Sequence, residues 1–255
     1  MTLLTDYPAL LFLASFVVLS GATWLGARFF RLPSAAGSEV FDDFGLIQGA
    51  TLTLLGLIIG FSFSMAVGRY DQRKNLEEEE ANAIGTEYVR MDLLPGAAAS
   101  GVRGMLASYL GQRILFYTLR DGERLADVNV KTAKMQAEMW SAVVASAAAR
   151  PDPLTALAVS GMNDVLNSQG YAQAASQNRI PITAWVLMVA IATCGSVLIG
   201  MGSRSETTRS KLLLVLPLVV SLAFFLIADI DSPRGGLIKV SPQNLTSLEQ
   251  SIRVP

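Results

Sequence analysis

Glu77 to Glu80 are four consecutive carboxylates, the densest group of ionisable side chains in the chain. Such a run can bind a cation, line an ion path or simply face water. Calcium and magnesium need about six oxygen ligands converging from separate segments. One helical run cannot supply them, so no metal site is expected. Arg73 and Lys74 precede Glu77 and Glu78 by one helical turn. Such pairs are worth roughly 0.2–0.5 kcal/mol each, and base before acid is the weaker order. Most of the run therefore reads as a solvated helix face. Glu80 is set apart, because helical spacing groups it with Leu76, Ile84 and Glu87, toward a bundle interior or an ion path. A second group lies further along, where Asp229 and Asp231 are followed by Pro233, Arg234 and a Gly235-Gly236 turn. Together with Arg69 and Asp71 they fall at one end of the apolar blocks described below. Acidic residues at a pore mouth select cations and basic residues select anions; mutual ion pairing is the competing reading.

Other chemistry is disfavoured. The chain has no His and one Cys, Cys194, inside an apolar block. That excludes a disulfide framework, a His/Cys zinc site and a His-dependent triad built within the chain. No phosphate-cradling glycine loop and no recognisable nucleophile arrangement is present, so neither an enzyme nor a cofactor is expected. A net charge of −1 gives no reason to expect a nucleic-acid partner.

The elements that must position these residues are legible from hydropathy. Apolar residues make up 51% of the chain and charged residues 16%, against about 25% charged in soluble domains. The apolar residues are concentrated in four blocks, Tyr7–Ala27, Phe44–Gly68, Ile180–Ser203 and Leu212–Ala228, none of which contains a charge. A bilayer core needs about 20 apolar residues per helix, and backbone in hydrocarbon must satisfy its own hydrogen bonds. Four transmembrane helices are predicted, the last one short and kinked at Pro217. The first block has no preceding Lys or Arg, so it reads as a retained helix and not a signal peptide.

Between the second and third blocks the pattern stays helical. Leu76, Ile84, Met91 and Leu94 continue the second helix out of the membrane. Val102, Leu106, Leu110, Ile114 and Tyr117 mark another helix over Ala97–Leu119. Met135, Met139, Trp140 and Val143 mark one over Ala126–Ala149. Leu157, Met162, Val165 and Leu166 mark one that begins at Leu154, after the Pro151 and Pro153 break, with a bend expected at Gly170. Val240–Ile252 predicts a short amphipathic helix with Leu245, Leu248 and Ile252 inward. The fold class is all-α. The expected divisions are a membrane part over 1–68, a helical extramembrane domain over 69–179, a second membrane part over 180–230 and a tail over 231–255. Arg28, Arg31, Arg204, Arg209 and Lys211 flank two short connections, which the positive-inside rule places in the cytoplasm. Arg69, Arg73, Lys74 and Arg179 oppose that bias. The helical domain then leans to the periplasmic side of a bacterial inner membrane.

In the second block, Gly49, Thr53, Gly56, Gly60, Ser64 and Gly68 step by three or four residues and form a stripe of small side chains. Such stripes let transmembrane backbones approach closely. The stripe serves helix packing, within the chain or between subunits, or it lines a narrow pore with Ser62 nearby. Four helices enclose no wide conduit, so a pore requires self-association.

Several segments carry a family resemblance. They are Tyr70-Asp71, Arg73-Lys74, Glu79-Glu80-Ala81-Asn82-Ala83-Ile84-Gly85-Thr86 and Asp92-Leu93-Leu94-Pro95, joined near the end by Asp229, Asp231, Pro233, Arg234, Val240 and Ser241. In combination they resemble the bacterial bestrophin-like membrane proteins, and the layout of helices matches over nearly the whole chain. The resemblance implies kinship with bestrophins, pentameric anion channels with four transmembrane helices per subunit. Their aromatic-rich pore neck has no clear counterpart here, Phe61 and Phe63 being the candidates. Their large domain is cytoplasmic, opposite to the side favoured by the charge bias. The leading expectation is a homo-oligomeric ion channel or pore whose partners are the bilayer, further copies of itself and inorganic ions. The alternative is a non-conducting scaffold or envelope sensor whose helical domain binds a partner.

Overall fold

The computed structural model describes residues 5–30, 32, 37–203 and 210–253. Arg31, Arg204 and Arg209, used above for orientation, lie outside the described residues, as does the Lys211 side chain. All regular structure among the described residues is helical.

Prolines and caps set the boundaries. Helix α1, Pro8–Phe29, opens on a proline in its first turn, where a missing N–H is harmless. Helix α2 runs from Ser38 to Arg90 without interruption. It tightens into a 3-10 turn at Met91–Leu93, and Leu94 turns extended, the conformation a following proline favours. Helix α3, Gly96–Thr118, starts after Pro95. Helix α4, Gly122–Ala149, is capped by the Asp121 carboxylate, which accepts the Glu123 and Arg124 N–H groups. Helix α5, Pro153–Gln177, begins on a capping box between Asp152 and Thr155 and passes through Gly170 without a break. Helix α6, Ile182–Met201, follows Pro181. A single turn, α7 (Ser210–Leu213), precedes α8, Val215–Asp231. Helix α9 is Gln243–Arg253. The interruption expected at Pro217 comes at Leu214. It leaves the proline in the first turn of α8, where no N–H donor is needed.

Among the described residues, three helical stretches are long and apolar enough to cross a membrane: α1, the apolar part of α2, and the stretch that ends in α6. Helix α8, at 17 residues, is shorter.

The chain divides into two compact units, Met1–Arg69 with Arg179–Lys239, and Tyr70–Asn178 with Val240–Pro255. In the first unit α1 packs along α6 and α8. Its contact with α6 is backbone against backbone. A Cβ on Gly26 would stand 2.2 Å from the Val197 carbonyl oxygen, and one on Gly200 would stand 2.1 Å from that of Thr23. Trp185 meets Phe224 edge to face at 6.1 Å between centroids, which joins α6 to α8. From α2 this unit buries Leu55, Ser62 and Ala66.

The second unit is built around Ile84, Met91, Val102, Leu106, Tyr109, Leu110, Met139, Val143, Met162, Val165 and Leu245. Trp140 and Leu157, expected on inward faces, are exposed. The core takes Met139, as expected, and Ala158, each one residue and about 100° away on its helix. At α5 the inward positions are small, Ala158 and Gly161. The C-terminal helix α9 belongs to this unit, with Leu245 buried in the core and Leu248 and Ile252 against it.

Candidate functional site

Ionisable side chains concentrate on one face of α2 in the second unit. Arg73, Glu77, Glu80, Ile84, Glu87 and Met91 recur at steps of three or four, and all are buried. The steps average 3.6 residues, which holds one stripe of a helix against its neighbours. Glu78 and Glu79 are exposed. The glutamate run is thus half solvated face and half core, and Glu77, Arg73 and Arg113 are buried charges that run-counting missed. For Glu77 and Arg73 the signal was the shared spacing with Ile84 and Met91; Arg113, on α3, shares no such run.

Each buried charge has its own arrangement. Both Glu80 oxygens bind Arg113: Oε1 accepts from Nε, and Oε2 accepts from Nη2 at 3.3 Å. Oε2 also accepts from the Tyr117 hydroxyl at 3.1 Å. The Arg113 guanidinium lies 4.3 Å from the Phe116 ring centroid. Burial, then the Glu80 charge, pushes the Tyr117 and Tyr109 hydroxyls above the usual phenol range. Burial opposes the charge on Arg113, but Glu80 outweighs it and holds the guanidinium protonated. The Tyr109 hydroxyl accepts from Gln136 at 3.2 Å, and Gln136 also donates to Gln169 at 3.3 Å. Glu77 caps α9 from outside, with Oε1 accepting the Leu245 N–H at 3.0 Å and Oε2 the Asn244 amide at 2.7 Å. Glu87 differs: neither oxygen has a hydrogen-bond partner among the described residues.

In the first unit the aspartates expected at a mouth are buried. Asp231 pairs with Arg69 at 3.3 Å, and its oxygens also accept the Ile180 N–H, at 3.1 Å for Oδ2. Asp229 accepts the N–H groups of Leu237 at 2.7 Å and Ile238 at 2.8 Å. A Cβ on Gly236 would lie 2.5 Å from the Asp229 carbonyl oxygen, so the turn closes on this carboxylate only with glycine there. Arg179 pairs with Asp6, and Arg234 is partly buried. Of the second unit's candidates, Asp71 is exposed. Among the described residues no three His, Cys, Asp or Glu side chains converge as metal ligands.

The small-residue stripe is open. Gly49, Thr53, Gly56, Gly60, Ser64 and Gly68 are all exposed, and a Cβ on any of the four glycines would meet nothing within 4 Å. Ser62 turns inward, while Phe61 is 70% and Phe63 38% exposed. The stripe therefore does not pack inside the described chain. Asp71 follows Gly68 by three residues and extends the same exposed face.

Comparison with known proteins decides the family. The model of the bestrophin-like domain matches residues 13–245. This chain belongs to the bestrophin-like family. No curated protein matches the chain. Among solved structures, the bestrophin-like chain resembles a bacterial bestrophin homologue from Klebsiella pneumoniae determined by zinc phasing. The TM-score is 0.63 at 13% identity, over 96% of this chain and 95% of that one. Two single-substitution variants of that homologue give TM-scores of 0.63, one at 11% identity over 95% and 96% of the two chains, the other at 12% over 94% and 95%. Identities this low speak for the fold, and the bestrophin-like chain is accordingly an all-helical membrane protein.

Proposed function

We propose that the chain is one subunit of a homo-oligomeric ion channel in a bacterial inner membrane. In this reading α1, the apolar part of α2, α6 and α8 are four spans. The 17-residue α8 crosses with slight local thinning of the bilayer or with help from α7. The second unit, with its polar surface, stands in water, on the periplasmic side by charge bias.

One observation carries the reading. A row of small and hydroxyl side chains on α2 is exposed within the protomer, with none of the described residues against it. Helix surface meant for lipid is normally lined by large apolar side chains, as α2 itself shows on its other side at Ile47, Leu54 and Met65. A row of glycine and hydroxyl groups instead suits a neighbouring helix or a column of water. Relatives of this fold are titled bestrophin homologues, which favours the second. The exposed Asp71 is the charge proposed to act at the pore mouth, while Asp229 and Asp231 act indirectly, by holding the end of α8.

Cysteines at Gly60 and Ser64, in protein lacking Cys194 and reconstituted in vesicles, should react with a charged thiol reagent and lower ion flux. A cysteine at Met65, which is 44% exposed and at least 100° round the helix from Ser64 and Gly60, should do neither. Asp71→Asn should shift the cation-to-anion permeability ratio. A reconstituted protein that passes no ions at any voltage or pH would leave the scaffold reading in its place.

A further inference from the structure

We propose that Glu87 is a proton-binding site that sets how closely α2 and α5 approach in the helical unit. The inference does not need the chain to conduct.

Glu87 is fully buried. Its three fellow charges on the same face of α2 are engaged: Glu77 by α9, Glu80 by Arg113, and Arg73 through contacts of its own. Glu87 has only Arg90, one turn on, with Nη1 4.0 Å from Oε2. That contact is too long for a hydrogen bond, and Arg90 is shared with Asp164 of α5 at 3.9 Å. Both carboxyl oxygens are without hydrogen-bond partners among the described residues. A buried, unpaired carboxylate is among the most costly groups a fold can carry, and taking up a proton relieves most of that cost.

The backbone of α5 lies directly over this carboxyl group. A Cβ on Gly161 would fall 1.8 Å from Glu87 Oε2 and 2.4 Å from Arg90 Nη1. Any side chain added there would have to push the ends of Glu87 and Arg90 aside. The contact is therefore tight where the charge would be least tolerable, and ionisation has two outlets: water enters between α2 and α5, or Arg90 leaves Asp164 for Glu87. Both loosen the contact.

The other elements of this core bring no second base to Glu87. From α3, Arg113 is held by Glu80 and Tyr109 by Gln136, and Arg103 pairs with Asp92. From α4, Lys134 and Glu138 pair with each other at the surface, and from α9 so do Arg253 and Glu249. Burial, opposed by Arg90 and aided by Asp164, lifts the Glu87 carboxyl from 4.5 to about 8. The folded state thus holds this proton more tightly than the unfolded chain. Its contribution to stability is full below 4.5 and is lost progressively as pH rises to about 8.

Infrared difference spectra of the full chain test the site. At neutral pH exposed carboxylates are ionised, so wild type minus Glu87→Gln should show one protonated carboxyl band. That band should disappear from wild type with a midpoint near pH 8. Spin labels at the exposed Val89 and Asn163, after replacement of Cys194, report the spacing of α2 and α5. It should widen through the same midpoint in wild type and stay at the low-pH value in Glu87→Gln. Absence of the band at neutral pH overturns the proton site. A band that titrates with no change in spacing overturns the coupling. Should the variant not fold, the wild-type titration of band and spacing alone decides both points.

Discussion

At the scale of single residues, the second unit stakes its core on one ion pair. Glu80 and Arg113 are both fully buried. Replacing such a pair with well-packed apolar groups is often neutral, whereas removing one partner leaves an uncompensated charge at a cost of about 3–5 kcal/mol. Glu80→Ala should therefore lower stability by about that amount, and Glu80→Ala combined with Arg113→Met should recover most of it. Trp140, the tryptophan within residues 70–178, reports the unfolding of this unit by fluorescence. Equal losses in the single and double variants would mean that the pair is not coupled. Some of this was readable beforehand. The grouping of Glu80 with Ile84 and Glu87 follows from spacing alone. Arg113 was not readable, because a lone Arg in an amphipathic helix looks like any other surface charge until its partner on another helix is known.

At the scale of helices, two kinds of glycine do different work. A regular three-or-four spacing drew attention to α2, yet a Cβ on Gly49, Gly56, Gly60 or Gly68 would meet nothing in the described chain. In the first unit the glycines that let backbones touch are Gly26 on α1 and Gly200 on α6. Neither belongs to a periodic run, and their role depends on a crossing point that one sequence does not reveal. Gly26→Ala should force α1 from α6, since its Cβ meets backbone and not a movable side chain. The expected loss is about 1–3 kcal/mol. Gly60→Ala should leave the protomer unharmed and act, if at all, on association. Thermal unfolding together with size-exclusion of the detergent-solubilised protein separates the two. Comparable loss of fold in both variants would contradict this division of labour. Helix existence was legible almost throughout, because long charge-free blocks and the prolines at 95, 153 and 181 leave few alternatives. Fine facing was less so, as the outward Trp140 and Leu157 show.

At the scale of the whole molecule, orientation rests on few charges. Arg28 is exposed in the last turn of α1, and the proposed placement puts residues 70–178 outside. A cysteine at Ser100, exposed on α3, should then react with a membrane-impermeant thiol reagent in intact cells, after the exposed Cys194 is replaced. One at Ser205 should react only after the cells are opened. The reverse pattern would place the helical unit in the cytoplasm. The sequence divided the chain at 231 because the last apolar block ends there. It could not show that residues beyond 239 return to the second unit, since an amphipathic helix advertises a buried face but not its address.

That return has a consequence for how the chain is made. The core around Ile84, Val102, Met139 and Val165 is closed by Leu245, and Glu77 takes the Leu245 N–H and the Asn244 amide from α9. At bacterial translation rates, on the order of ten seconds separate synthesis of α5 from that of α9. For that interval the second unit has an apolar seat open and lacks the two α9 donors to Glu77. Asp231 likewise follows Arg69 and the Ile180 N–H that it pairs with. Each unit is therefore complete only once α8 or α9 has been made, which makes these two helices the step at which assembly either succeeds or stalls.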